Sequence, residues 1–149
     1  MKKTPLFKQS NLVEVKRNKK YKSRSRAVYA RKNIKKGKTI EEVPVIRMPR
    51  DEVFPENVDK QPCATISWYC FEWHKDKKYS KNGFTAIALG YGSLYNHSDD
   101  PNAKYEHING DCLRFVAKKN IKKGEEITIN YMQGCKGEVD FPKKKPIPQ

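Results

Sequence analysis

Apolar residues alternate with polar ones over many short stretches. No run longer than ten residues carries a clean helical period. Asn11-Leu12-Val13-Glu14-Val15-Lys16 alternates and predicts a strand, as do Ala27-Val28-Tyr29-Ala30 and Leu113-Arg114-Phe115-Val116-Ala117. Thr39 to Val43 and Glu126 to Tyr131 alternate in the same way, residues 65–73 are rich in β-branched and aromatic residues, and 84–89 is a short apolar run. Short helices are expected near 49–54 and 91–97. Residues 48–62, with three prolines, predict a loop or insert. An eleven-residue segment occurs twice. Ala30-Arg31-Lys32-Asn33-Ile34-Lys35-Lys36-Gly37-Lys38-Thr39-Ile40 returns as Ala117-Lys118-Lys119-Asn120-Ile121-Lys122-Lys123-Gly124-Glu125-Glu126-Ile127, with three positions changed. Two copies do not make a solenoid. Each copy reads strand–turn–strand, and its glycine is free to take positive φ at the turn. The fold class expected is mainly β, built of many short strands.

The length of 149 residues suits one domain. A chain of this size buries about 70% of its unfolded surface, enough for a real core. No apolar run approaches the ~20 residues needed to span a bilayer. The basic opening is not followed by an apolar stretch, so no secretory signal and no membrane partner are expected. The four cysteines are widely spread and form no CxxC pair or zinc-ligand spacing; reduced structural thiols and no metal are expected. The net charge is +15, mostly from lysine. Lysine is a solvated point charge, so this speaks for polyanions such as nucleic acid, or simply for a solvated surface. Residues 1–10 form a basic tail. The C-terminal Pro-Lys-Lys-Lys-Pro of residues 142–146 suits a soluble end or an import signal. The expected location is cytoplasmic, or nuclear in a eukaryotic cell.

The densest chemistry lies in Gly90-Tyr91-Gly92-Ser93-Leu94-Tyr95-Asn96-His97-Ser98-Asp99-Asp100-Pro101-Asn102. On its own, an Asn-His pair between apolar flanks is a hydrogen-bonded turn. Here it is followed about twenty residues later by Gly124-Glu125-Glu126-Ile127-Thr128-Ile129-Asn130-Tyr131, and preceded by the first repeat copy. Together the three motifs resemble the SET domain, over roughly residues 11–132. Residues 133–149 then form a C-terminal segment without a zinc-binding post-SET region.

The resemblance implies a SET-type fold of several short sheets, with few short helices. In it, the Asn-His-Ser segment passes under the C-terminal motif in a knot-like crossing. It also implies S-adenosylmethionine-dependent protein lysine methylation. Asn96 and His97 inherit the cofactor role and Tyr131 the catalytic position. The family's Gly-x-Gly segment falls on Ser25, Arg26 and Ala27, again cofactor-binding. Both glycines are replaced, and a positive φ at either position would cost about 1 kcal/mol. Phe141 is the nearest later aromatic to cover the cofactor. Tyr91 and Tyr105 flank the Asn-His segment as channel candidates. Ile129 occupies the position two before the catalytic tyrosine, leaving Tyr105 to crowd the amine.

The chemistry suits these side chains independently. Methyl transfer to an amine is an in-line displacement, and alignment of the reactants can supply ~7–11 kcal/mol. The lysine must arrive neutral, which an apolar tyrosine-lined channel favours. The partner expected is a protein substrate with a target lysine, histone tails included. Chromatin-like or nucleic-acid association would come through the basic surface. Glu41-Glu42 and Asp99-Asp100 are candidate acidic patches for a basic peptide. Two other readings use the same residues. One is a catalytically inactive SET-like domain binding peptide or nucleic acid. The other is an unrelated RNA-binding β module, which no RNP-like strand supports.

Overall fold

A computed structural model describes residues 9–18, 26–54, 66–73, 83–108 and 110–133. Ser25 and Phe141 lie outside the described residues, as do 1–8 and 134–149. The structure is mainly β. Strands β1 (Val13–Arg17) and β2 (Arg26–Ala30) form an antiparallel pair. Strand β3 (Thr39–Pro49) is followed by one helical turn, α1 (Arg50–Val53). β4 (Cys70–Glu72), β5 (Phe84–Ala88), β7 (Ala103–Ile108) and β8 (Cys112–Ala117) join β3 in a five-stranded antiparallel sheet of order β4-β5-β3-β8-β7. β6 (Asn96–His97) and β9 (Thr128–Ile129) pair in parallel.

β3 runs longer than the sequence pattern predicts because it serves two partners in turn. Residues 39–44 pair with β8, and residues 45–49 with β5. Pro44 sits at the changeover, where its missing N–H does least harm to either ladder. Residues 66–69, expected to extend a strand, form a 3-10 turn instead, and only Cys70–Glu72 pair. β7 was not signalled by its composition, although Ala103 and Tyr105 alternate inward along it. Its edge is fixed by pairing along β8 from Ala103↔Ala117 to Ile108↔Cys112.

The core gathers Val28, Ile40, Val43, Phe71, Tyr95, Tyr105, Leu113, Phe115, Ile121, Ile127 and Ile129. Phe71 meets the Tyr105 ring edge-on at 5.0 Å, and Tyr95 lies 4.8 Å from Phe115. Ala27 is fully buried in β2 and does not adopt positive φ, so the strain allowed for there does not arise.

The two repeat copies meet each other. Ile34 and Ile121 exchange backbone hydrogen bonds, each 2.8 Å. The Lys36 N–H donates to Asn120 Oδ1 and the Lys123 N–H to Asn33 Oδ1, both at 2.9 Å. Gly37 N–H reaches the Ala117 carbonyl at 2.8 Å, as Gly124 N–H reaches that of Ala30 at 2.7 Å. Each of these bonds between the copies is returned, which defines a local twofold axis between the isoleucines. Both turn glycines have φ above +80°, the left-handed region only glycine enters freely.

Candidate active site

β6 and β9 carry the sequence's two richest motifs, and their parallel pairing places Asn96 opposite Thr128 and His97 opposite Ile129. Ser98 N–H extends the ladder to the Ile129 carbonyl at 2.9 Å. This is where the Asn-His-Ser segment and the C-terminal motif come together. Asn102, 8% exposed, staples the pair from the side. Its Nδ2 donates to the Glu126 carbonyl at 2.8 Å, and its Oδ1 accepts from Thr128 N–H at 2.9 Å. The Pro-Asn end of the motif is thus a fastening for β9.

Asn96 Nδ2 donates to the Arg26 carbonyl at 3.1 Å and to Glu126 Oε1 at 2.8 Å. One amide thereby joins β2, β6 and the approach to β9. The β2 bridge between Tyr29 and Glu126 closes the same corner. Arg26 contributes through its backbone, and Ala27 is enclosed beside it. His97 uses both ring nitrogens. Nδ1 accepts the Tyr131 N–H at 3.1 Å, so the neutral ring carries its proton on Nε2, which faces Asp99 Oδ1 at 3.0 Å. The Tyr131 ring lies 5.2 Å from the imidazole.

Tyr131 packs partly buried against the core, and its hydroxyl donates to the Tyr95 carbonyl at 2.8 Å. Burial pushes its phenol up to about 12, with Tyr69 and Glu126 adding to the rise. At neutral pH the group is a fixed hydroxyl and not a phenolate. Tyr95 is itself clamped. Its own hydroxyl donates to Glu41 Oε1 at 2.8 Å, and Glu41 Oε2 accepts the Tyr91 N–H at 3.3 Å. Gly92 lets this segment lie close to the sheet, since a Cβ there would stand 2.5 Å from that of Ala88.

Glu41 corrects the expectation of an acidic surface patch. It is 4% exposed, because the register shift between Thr39 and Glu41 turns Ile40 and Glu41 inward together. Glu42 is exposed and pairs with Arg114, and Asp100 pairs with Lys119. Tyr91 lies beside the Glu41–Tyr95 pair and accepts from Gln9 Nε2 at 2.7 Å. Tyr105 lies in the aromatic core, its backbone bracketed by the Gln133 side chain. Ile129 is buried in β9. Tyr69, Tyr95 and Glu126 were not singled out by sequence, and Glu41 was read only as a surface acid; only the proximity of Tyr95 to the Asn-His pair pointed to one of the three.

The SET-domain family model matches residues 25–132. The chain belongs to the SET-domain family. This SET domain is similar to a histone-lysine N-methyltransferase SET5 of Vanderwaltozyma polyspora, 32% identical over 60 residues. That match covers 40% of the chain and 12% of the relative. It is also similar to an H3 lysine-37 specific histone-lysine N-methyltransferase of Schizosaccharomyces pombe, 26% identical across 72% of the chain and 67% of that protein. Among solved structures, a Plasmodium falciparum protein assigned as a histone methyltransferase superposes with a TM-score of 0.59 at 28% identity. The superposition covers 84% of the SET chain and 95% of the other. Among the described residues, no cluster of side chains suits a metal ion, and no helix is long and apolar enough to cross a membrane.

Proposed function

We propose that this SET domain is an S-adenosylmethionine-dependent lysine N-methyltransferase acting on a protein substrate of the histone kind. The observation that carries the proposal is the Tyr131 hydroxyl. It is neutral, partly buried and fixed on the Tyr95 carbonyl, one residue before the Asn96–His97 strand.

The groups around it suit a cationic cofactor. The Tyr95 and Arg26 carbonyls, the Glu126 carboxylate and the Tyr131 phenol are all oxygen acceptors. Both amide hydrogens of Asn96 have acceptors, while its Oδ1 has no partner among the described residues and can take an ammonium. S-adenosylmethionine, when bound, supplies a methyl group on a sulfonium. The chain's residues do the rest. Asn96, the Arg26 backbone and Glu126, which bond to one another, would hold the cofactor, and His97 fixes the Tyr131 backbone through Nδ1. Tyr131 keeps its proton on the Tyr95 carbonyl and offers an oxygen lone pair to an N–H of the incoming amine. That leaves the amine's own lone pair directed away from Tyr131, along the line of transfer. The target lysine must lose its proton to solvent before transfer, since Tyr131 keeps its own proton at neutral pH and cannot accept another.

The test is incubation of the full chain with methyl-labelled S-adenosylmethionine and core histones, with methyl-lysine identified by mass spectrometry. Tyr131→Phe should lower kcat by about 10- to 150-fold, the loss expected for a hydrogen bond worth ~1.5–3 kcal/mol. Cofactor binding by calorimetry should hold within a factor of two. Turnover by the variant near that of the wild type would refute the orienting role. Absence of methyl-lysine on every substrate, with cofactor bound, would refute the activity.

A further inference from the structure

The local twofold between the repeat copies has a charge consequence that methyl transfer does not use. Segments 30–38 and 117–125 together carry nine cationic side chains and one carboxylate, Glu125. Every residue of both turns is exposed except the two alanines and the two isoleucines that join them. Of the nine cations, only Lys119 forms an ion pair among the described residues, with Asp100. Charges from the two copies lie close together. The Glu14 carboxyl is held below the usual range by its partner Lys16 first, and also by Arg31 of one copy and Lys123 of the other.

We propose that this paired-turn surface binds the backbone of duplex DNA without reading its sequence. Three features select that partner. The cations are eight lysines and one arginine, point charges suited to phosphates and poor at bidentate contact with bases. No aromatic residue lies in either segment, so there is no platform on which single-stranded bases could stack. The two turns are equivalent by a twofold, and a duplex presents two antiparallel strands related by twofolds of its own. Lys35-Lys36 can face one strand while Lys122-Lys123 faces the other. The surface is also rigid. Its backbone is held by reciprocal hydrogen bonds from Asn33 and Asn120, so little ordering is needed on binding. The second turn runs directly into Glu126 and β9, so a duplex seated here lies alongside the segment that carries Tyr131.

Duplex binding by this surface is independent of methyl transfer and can be measured without it. The full chain is titrated into a fluorescent 20-base-pair duplex between 50 and 200 mM KCl. The logarithm of affinity should fall linearly with that of salt, by about 0.9 for each phosphate contacted. Lys36→Glu/Lys123→Glu removes one cation from each turn while leaving the backbone bonds in place. It should flatten the slope by about 1.8 and weaken binding at 50 mM by at least ~10-fold, since each contact also becomes a repulsion. Arg47→Glu/Lys104→Glu makes the same change of net charge on the five-stranded sheet and should cost less than ~3-fold, as distant surface charges are screened. Lys36→Gln/Lys123→Gln replaces the first pair should its far-UV spectrum show unfolding. Equal losses in both pairs would mean diffuse attraction and would overturn the proposal. So would tighter binding of a single strand than of the duplex, or a wild-type affinity that does not respond to salt.

Discussion

Glu41 is a carboxyl inside the core, and its burial should be measurable as a pH-dependent loss of stability. Burial raises it from 4.5 to about 7, against the opposing bonds from Tyr95 and Tyr91. A carboxyl raised in this way binds its proton more tightly folded than unfolded. Below pH 4.5 both states are protonated, and Glu41 adds no pH dependence. Between pH 4.5 and about 7 the unfolded chain has released the proton and the folded chain has not, so stability falls as pH rises. Above that window both are ionised and the full loss, about 3 kcal/mol, is present. Gln is the uncharged shape of the protonated acid. Its Oε1 can accept the Tyr91 N–H and its amide can donate to the Tyr95 hydroxyl. Glu41→Gln should therefore match the wild type within about 1 kcal/mol at pH 5. At pH 8 it should exceed it, the gap widening by about 2–3 kcal/mol between the two pH values. Urea unfolding of both proteins at both pH values measures this, and the other titrating groups cancel in the comparison. A change in the gap below 1 kcal/mol, or a gap that narrows at high pH, would refute a buried carboxylate at this position.

Other outcomes follow from single contacts. Asn96→Ala removes the amide that joins the Arg26 carbonyl to Glu126 and should cost about 1–2 kcal/mol in urea unfolding, with calorimetry showing weaker cofactor binding. Tyr105→Ala should cost about 3–5 kcal/mol, because its ring is core; a cost under 1 kcal/mol would place it on an open channel instead. Gly37→Ala and Gly124→Ala meet open space at the new Cβ, so each should cost only the ~1–2 kcal/mol of left-handed backbone, and the two costs should agree within 0.5 kcal/mol in thermal melts.

The parts legible in the sequence were those where the side-chain pattern is local. β8 alternates cleanly because one face lies on the core, whereas β2 has alternating side-chain types but buries both Ala27 and Val28, and β1 is buried only at Val13. The Asn-His and Gly-Glu-Glu motifs named the two short strands that meet at the site, and the spacing between them was sufficient to suggest the family. What escaped depends on distant partners. Glu41 follows Ile40, and strict alternation sends it to solvent; the irregular register against β8 is what turns it inward. Residues 66–69 have strand-forming side chains but curl into a turn, with Ser93 reaching across to the Tyr69 carbonyl at 2.8 Å. The repeat was visible as words, yet nothing in either copy says that each completes the other. The link from Glu126 to Asn96 was hidden for the same reason, its partners lying 30 residues apart.

That mutual completion has a consequence in time. Asn33 and Asn120 each close the opposite turn, across 90 and 84 residues of chain. A ribosome adding roughly 5–20 residues per second makes the first turn about 4–18 seconds before its counterpart exists. During that interval the Lys36 N–H has no Asn120 and Ile34 has no ladder partner, so β2 and the early part of β3 emerge with their edges open. The contacts that close them are among the most distant in the described chain, a topology that folds slowly. A nascent chain paused between the two copies should therefore be protease-sensitive at residues 31–38, and the protection should appear in one step once the second copy has cleared the exit tunnel.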